Sequence, residues 1–148
     1  MSSARASPVR ITLPSVREIL IVDDHDRARD TLLGMVEHAG YPAVAFANPA
    51  GALARIAEHR PALILLDMMM PDIDGADFLG RLGRLQAGGP VPVIIVSGIA
   101  PLLQGMRDSH AAAAGVVDVL AKPVSYTTLV EAIRRIIGPP EERSARDG

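Results

Sequence analysis

A chain of 148 residues with 49% apolar content is long enough for one domain with a full core and too short for two comfortable ones. A net charge of -2, 3% aromatic residues and no Trp exclude a protein held to nucleic acid or anionic lipid by bulk charge and base stacking. The absence of Cys excludes a disulfide framework, a thiolate metal site and a thiol nucleophile.

Residues 1–16 are rich in Ser, Arg and Pro, show no sustained period and lack the apolar centre of a signal peptide, so they read as a flexible extension. No apolar run elsewhere approaches a membrane span, and the chain is expected to be cytoplasmic, without membrane insertion. From Glu18 a short run, Glu-Ile-Leu-Ile-Val, reads as a strand ending on the acidic pair Asp23-Asp24. A helix follows, with Ala28, Leu32, Met35, Val36 and Ala39 on one face and Gly40 placed as a C-terminal cap. Pro42 to Phe46 is a weaker strand, after which Asn48 and Pro49 open a helix expected to turn Leu53, Ile56 and Ala57 inward.

Pro61 stops that helix, and the apolar run to Leu66 delivers Asp67 at its exit, as a strand buried on both faces would. The following loop reaches Gly75 and leads into a helix with Phe78, Leu82 and Leu85 on one face. Gly88, Gly89 and Pro90 break the chain before a fourth strand, Val93 to Val96, with Ser97 and Gly98 at its exit. Leu102, Met106, His110 and Ala113 mark a helix with an irregular start, since Pro101 and Gly105 interrupt it. Val116 to Leu120 is a fifth strand running into Lys122-Pro123. Ser125 caps a last helix striped by Leu129, Ile133, Ile136 and Ile137, which Gly138 and the prolines after it end. Residues 139–148 form a charged tail. Strand-like and helix-like runs in alternation imply right-handed crossovers and a parallel sheet covered on both faces.

In such a sheet the carboxyl ends of the strands share one edge, where ligands and chemistry collect. Asp23, Asp24, Asp67, Ser97 and Lys122 therefore converge although they are scattered from position 23 to position 122. Taken singly, each has an ordinary explanation: a solvated acidic turn, a turn Asp, a capping Ser, a Lys-Pro loop. Together they point to chemistry, because clustered carboxylates repel one another unless a cation sits among them, and Mg2+ suits such oxygen donors. Acids, a hydroxyl and an ammonium group suit phosphoryl transfer to a carboxylate. Asp67 would attack in line, Lys122 and Mg2+ would neutralise the phosphoryl oxygens, Ser97 would hydrogen-bond the product, and Gly98 would leave the approach open.

The text Ile-Leu-Ile-Val-Asp-Asp at 19–24, Leu-Leu-Asp-Met-Met-Met-Pro-Asp-Ile-Asp-Gly at 65–75, Ser-Gly at 97–98 and Lys-Pro at 122–123 resembles the receiver domain of two-component response regulators. The resemblance covers Arg17 to Gly138, marking 17–138 as the receiver unit. It implies a flavodoxin-like α/β fold, five strand-helix units in a doubly wound sheet of order 2-1-3-4-5. It implies Asp67 as phosphoacceptor, Asp23, Asp24, Asp67 and the backbone carbonyl of Met69 as Mg2+ ligands, and Lys122 and Ser97 on the phosphoryl group. A histidine kinase or histidine phosphotransfer protein as donor, a downstream protein as reader, and a monomer or weak dimer follow from the same likeness. No conventional enzyme is implied beyond the making and losing of the aspartyl phosphate.

Three departures stand out. The family's Tyr or Phe three residues before the Lys is Val119 here, which removes the aromatic half of the usual switch. The segment from Ser97 to Gly115 is longer than in common receivers, and the last helix leads only into the short tail. Two other readings weigh less. Asp72-Ile73-Asp74-Gly75 suggests the nucleophile motif of haloacid-dehalogenase-like phosphatases, but Met68 to Pro71 separate it from the strand. A receiver-shaped constitutive binding module remains the alternative that Val119 suggests. His25, His38, His59 and His110 show no metal-ligand spacing, and only His25, beside the acidic pair, is placed to tune it.

Overall fold

The computed structural model describes residues 17–68, 75–85, 89–100 and 115–141. Strands β1 (Ile19–Val22), β2 (Ala43–Phe46), β3 (Leu63–Leu66), β4 (Val93–Ser97) and β5 (Val116–Ala121) form one parallel sheet in the order β2-β1-β3-β4-β5. Helices α1 (Asp26–His38), α2 (Pro49–Glu58), α3 (Gly75–Leu85) and α4 (Tyr126–Ile137) cover its two faces. The helix expected around Leu102 to Ala113, the extension 1–16 and the tail from 142 lie outside the described residues.

Every residue of β1 and β3 is buried, as the unbroken apolar runs require of central strands. Their side chains alternate between two cores. Leu20, Val22, Ile64 and Leu66 meet Ile56 of α2 and Phe78 and Leu82 of α3, whereas Ile19, Ile21, Leu63 and Leu65 meet Leu32 and Val36 of α1 and Leu129 and Ile133 of α4. Each such side chain contributes roughly 1.5–3 kcal/mol of transfer free energy. β2, at the sheet's edge, is half-buried along its whole length, which accounts for its weak signature.

Local capping follows the sequence. Asn48 accepts from the backbone N–H groups of Ala50 and Gly51, and Ser125 accepts from that of Thr128. Gly115 enters β5 at φ +104°, where a Cβ would run into the carbonyl oxygen of Val91.

One expected core position is corrected. Ala57 is exposed and Ala52 is buried in its place, because the α2 stripe centres on Ala52 and Ile56 and Ala57 lies about 100° further round. Leu85 shares the face of Phe78 and Leu82 but is 43% exposed, since it ends the helix, while Leu79 completes the buried stripe. At β5 the register slips between Val93 and Ile94, whose partners are Val116 and Asp118; Val117 is the extra residue, and its side chain is exposed.

Tyr41, buried just before β2, donates its hydroxyl to the Gly138 carbonyl at 2.6 Å and ties the end of α1 to the end of α4. Burial raises its pKa, against the lowering effect of Arg134 and Arg17. A phenol with a raised folded-state pKa contributes stability that is complete below about pH 10 and is lost as pH climbs through the folded value. Tyr41→Phe is therefore expected to cost about 1 kcal/mol at neutral pH and to lose stability less steeply than wild type at alkaline pH. Urea midpoints across that range check both. Parallel slopes for the two proteins would contradict the assignment.

Candidate functional site

The register places the strand exits side by side. Val22 pairs with Leu66, so the residues that follow, Asp23 and Asp67, are neighbours, and the Asp67 N–H continues the ladder by donating to the Val22 carbonyl at 3.0 Å. On the far side Ser97 pairs with Ala121, and the Lys122 N–H donates to the Ser97 carbonyl at 3.1 Å. Parallel crossovers thus bring Asp23, Asp67, Ser97 and Lys122 to one edge, as the sequence predicts.

Asp23 is fully buried and Asp67 nearly so. The Lys122 ammonium group lies 2.7 Å from Asp23 Oδ2 and 3.7 Å from Asp67 Oδ2, bridging the two carboxylates. Asp23 Oδ1 faces the other way and accepts from the His25 N–H at 2.9 Å. Asp24 is half-buried, yet its Oδ1 is shut from solvent and has no hydrogen-bond partner among the described residues. One donor atom each from Asp23, Asp24, His25 and Asp67 lies within 4.8 Å of the others. A convergent oxygen set with an orphaned carboxylate oxygen fits a hard divalent cation. Met69, expected to add its carbonyl, lies outside the described residues.

Ser97 is buried as the last residue of β4, and its Oγ accepts from the Ile99 N–H at 3.3 Å. Gly98 is exposed, and a Cβ there would meet nothing within 4 Å among the described residues. Val119 is buried in the α2 and α3 core. Among the other histidines, His38 and His59 are exposed, and His110 lies outside the described residues. Asp72 and Asp74 of the alternative phosphatase motif also lie outside them.

Arg29 went unnoticed in the sequence. Its guanidinium donates to the Asp23 carbonyl at 3.0 Å and to Asp26 Oδ1 at 2.7 Å, pinning the β1 exit to the first turn of α1. The available cue was its spacing: it lies one helical turn beyond Asp26, at the end of the helix next to the acid pair. Arg29→Ala is expected to weaken divalent-cation binding by about tenfold, with Arg29→Lys recovering part of it, as for other groups that orient a ligand. Mg2+ titration followed by amide NMR checks this. An unchanged midpoint in both variants would make Arg29 merely a helix-surface residue.

A parallel sheet of order 2-1-3-4-5 whose exit edge gathers buried acids around one ammonium group defines a phosphoacceptor signalling module. The match to the response regulator receiver domain runs over residues 19–134, and the chain belongs to that family, whose members take the phosphoacceptor role in two-component signalling. It is 27% identical to the polar-differentiation response regulator DivK of Brucella anthropi, over 82% of this chain and 97% of that protein. It is 32% identical to the phosphate regulon transcriptional regulatory protein PhoB of Pseudomonas aeruginosa, over 86% of this chain and 56% of that one. The chain thus spans nearly all of the first relative and about half of the second. The receiver domain of the sensor histidine kinase PA1611 of Pseudomonas aeruginosa, a crystal structure with magnesium coordinated in its active-site cleft, superposes with a TM-score of 0.70 at 30% identity, over 82% of this chain and 98% of that one. Among the described residues no helix is long and apolar enough to cross a membrane.

Proposed function

We propose that Asp67 takes the phosphoryl group and that Asp23, Asp24 and Asp67, with the carbonyl of Met69, hold Mg2+ beside it. The observation that carries this reading is the Lys122 ammonium group bridging two buried carboxylates, Asp23 at 2.7 Å and Asp67 at 3.7 Å. The donor is a phosphohistidine of a histidine kinase or a histidine phosphotransfer protein. An Asp67 oxygen attacks phosphorus in line; the P–O bond forms as the P–N bond breaks, and the electron pair stays on the donor imidazole. Bound Mg2+ supplies neutralisation of the phosphoryl oxygens. Lys122 does the same from the protein side, and the Ser97 hydroxyl donates to a phosphoryl oxygen of the product. Gly98 leaves the route to Asp67 open.

The working unit is 17–138, flanked by the extension 1–16 and the tail 139–148. It acts in the cytoplasm as a monomer or weak dimer and signals through contacts with a downstream protein, without nucleic acid or membrane insertion. Its chemistry is the gain and loss of its own phosphoryl group.

Val119 favours one variation. An aliphatic side chain already packed in the core has no aromatic ring to swing inward, so the phosphorylated state is transmitted by movement at Ser97 and the 97–126 surface. Acetyl phosphate or beryllofluoride with Mg2+ is expected to shift amide NMR resonances across that surface. Shifts confined to the acid pocket would favour a constitutive binding module instead.

A further inference from the structure

His25 occupies the N-cap of α1, a position that ordinarily rewards Ser, Thr, Asp or Asn, and its side chain makes no capping hydrogen bond. Its imidazole instead faces the acids. His25 Nδ1 lies 3.4 Å from Asp24 Oδ1 and 3.6 Å from Asp23 Oδ1, and that Asp24 oxygen has no hydrogen-bond partner among the described residues. The backbone holds the residue in place, since the His25 N–H donates to Asp23 Oδ1 at 2.9 Å. The side chain is 68% exposed, so most of the ring is in solvent and not packed into the core.

We infer that His25 is a nitrogen ligand of this metal site when it holds a borderline divalent ion such as Zn2+, adding to the affinity for Zn2+ and not to that for Mg2+. The inference rests on the reading of Asp23, Asp24 and Asp67 as metal donors. Carboxylates alone suit Mg2+, which keeps its waters and takes only oxygen donors. An imidazole with carboxylates is a Zn2+ donor set, and four converging groups match the usual coordination number of that ion. Three of the four donors are adjacent in sequence, Asp23-Asp24-His25, so the β1 exit alone presents both oxygen and nitrogen to one point. Mg2+ takes the carboxylate oxygens without coordinating the imidazole beside them, so His25 contributes little to its affinity.

The test titrates the metal-free full chain with Zn2+ alone and with Mg2+ alone, by calorimetry, while histidine ring resonances are followed by NMR. Zn2+ is expected to shift the His25 ring nitrogen resonances as direct coordination does, whereas Mg2+ moves them only as a nearby charge on the Asp23 and Asp24 oxygens does. His25→Gln is expected to weaken Zn2+ by about tenfold or more, at least the loss seen on removing an outer-shell partner, and to leave the Mg2+ midpoint where it was. An equal Zn2+ midpoint in His25→Gln and wild type, or perturbation of the other histidine rings without that of His25, overturns the proposal. Asp23→Asn separates the two levels of the argument. Loss of both ions in that variant upholds the carboxylate site whatever His25 does, whereas both ions binding as in wild type removes the metal-site reading itself.

Discussion

Asp67→Asn is expected to abolish the phosphoryl adduct that the proposed role of Asp67 predicts for the wild-type chain with acetyl phosphate and Mg2+, read by intact mass. The side-chain amide keeps the shape of the carboxylate but has no anionic oxygen to attack phosphorus. Asp67 lies at the exit of β3 with its N–H bonded to the Val22 carbonyl, and that bond survives the substitution. The fold survives as well. Asp23, Asp24 and Asp67 converge on one another, with the Lys122 ammonium group on Asp23 and Asp67, so removing one negative charge relieves repulsion. Loss of the adduct with an unchanged or raised thermal midpoint is therefore the expected pair of results. An adduct of undiminished yield in Asp67→Asn would place the acceptor elsewhere, and hydrolysis of a free phosphate ester by that variant would point to Asp72 and Asp74 and to a phosphatase.

Lys122→Met is expected to slow adduct formation by roughly 10²–10³-fold, the range found when one preorganised donor to developing charge is removed. The ammonium group sits between Asp23 and Asp67, within reach of a phosphoryl group were Asp67 to accept one, and its position is set from two sides. The Lys122 N–H is bonded to the Ser97 carbonyl and the side chain to Asp23 Oδ2. Mg2+ binding is retained, since every carboxylate is untouched. Lys122→Arg recovers little, because a planar guanidinium does not replace a compact point charge between two oxygens. The time course of adduct formation at saturating Mg2+ measures the effect. A rate in Lys122→Met equal to that of wild type would reduce Lys122 to a counter-ion that merely stabilises the apo site.

These predictions concern residues that were visible in the sequence, and the reason is topological. Short buried strands announce themselves as apolar runs, and parallel strands joined by helices must all exit on one edge. Asp23, Asp67, Ser97 and Lys122 needed no side-chain geometry to be grouped. Capping was legible for a related reason: Asn48 and Ser125 act on N–H groups two or three residues away, within reach of local pattern. Leu82 and Leu85 mark the limit of that reasoning. They share a helical face, yet one is buried and the other exposed, because periodicity reports direction and not how far the opposing sheet extends.

The sequence by itself determined the fold class, the strand order through family likeness, and the convergence of acids, hydroxyl and ammonium group at one edge. Only the tertiary structure decided what the convergence does in detail. It turned Lys122 onto both carboxylates, brought Arg29 to the Asp23 carbonyl, directed the imidazole of His25 at Asp24 instead of at a cap, and closed Tyr41 onto Gly138 across 97 positions of chain. Strand and helix signals arise from near neighbours, which a sequence records directly. Which rotamer faces which partner depends on atoms far apart in the chain, and those meet only once the sheet has closed.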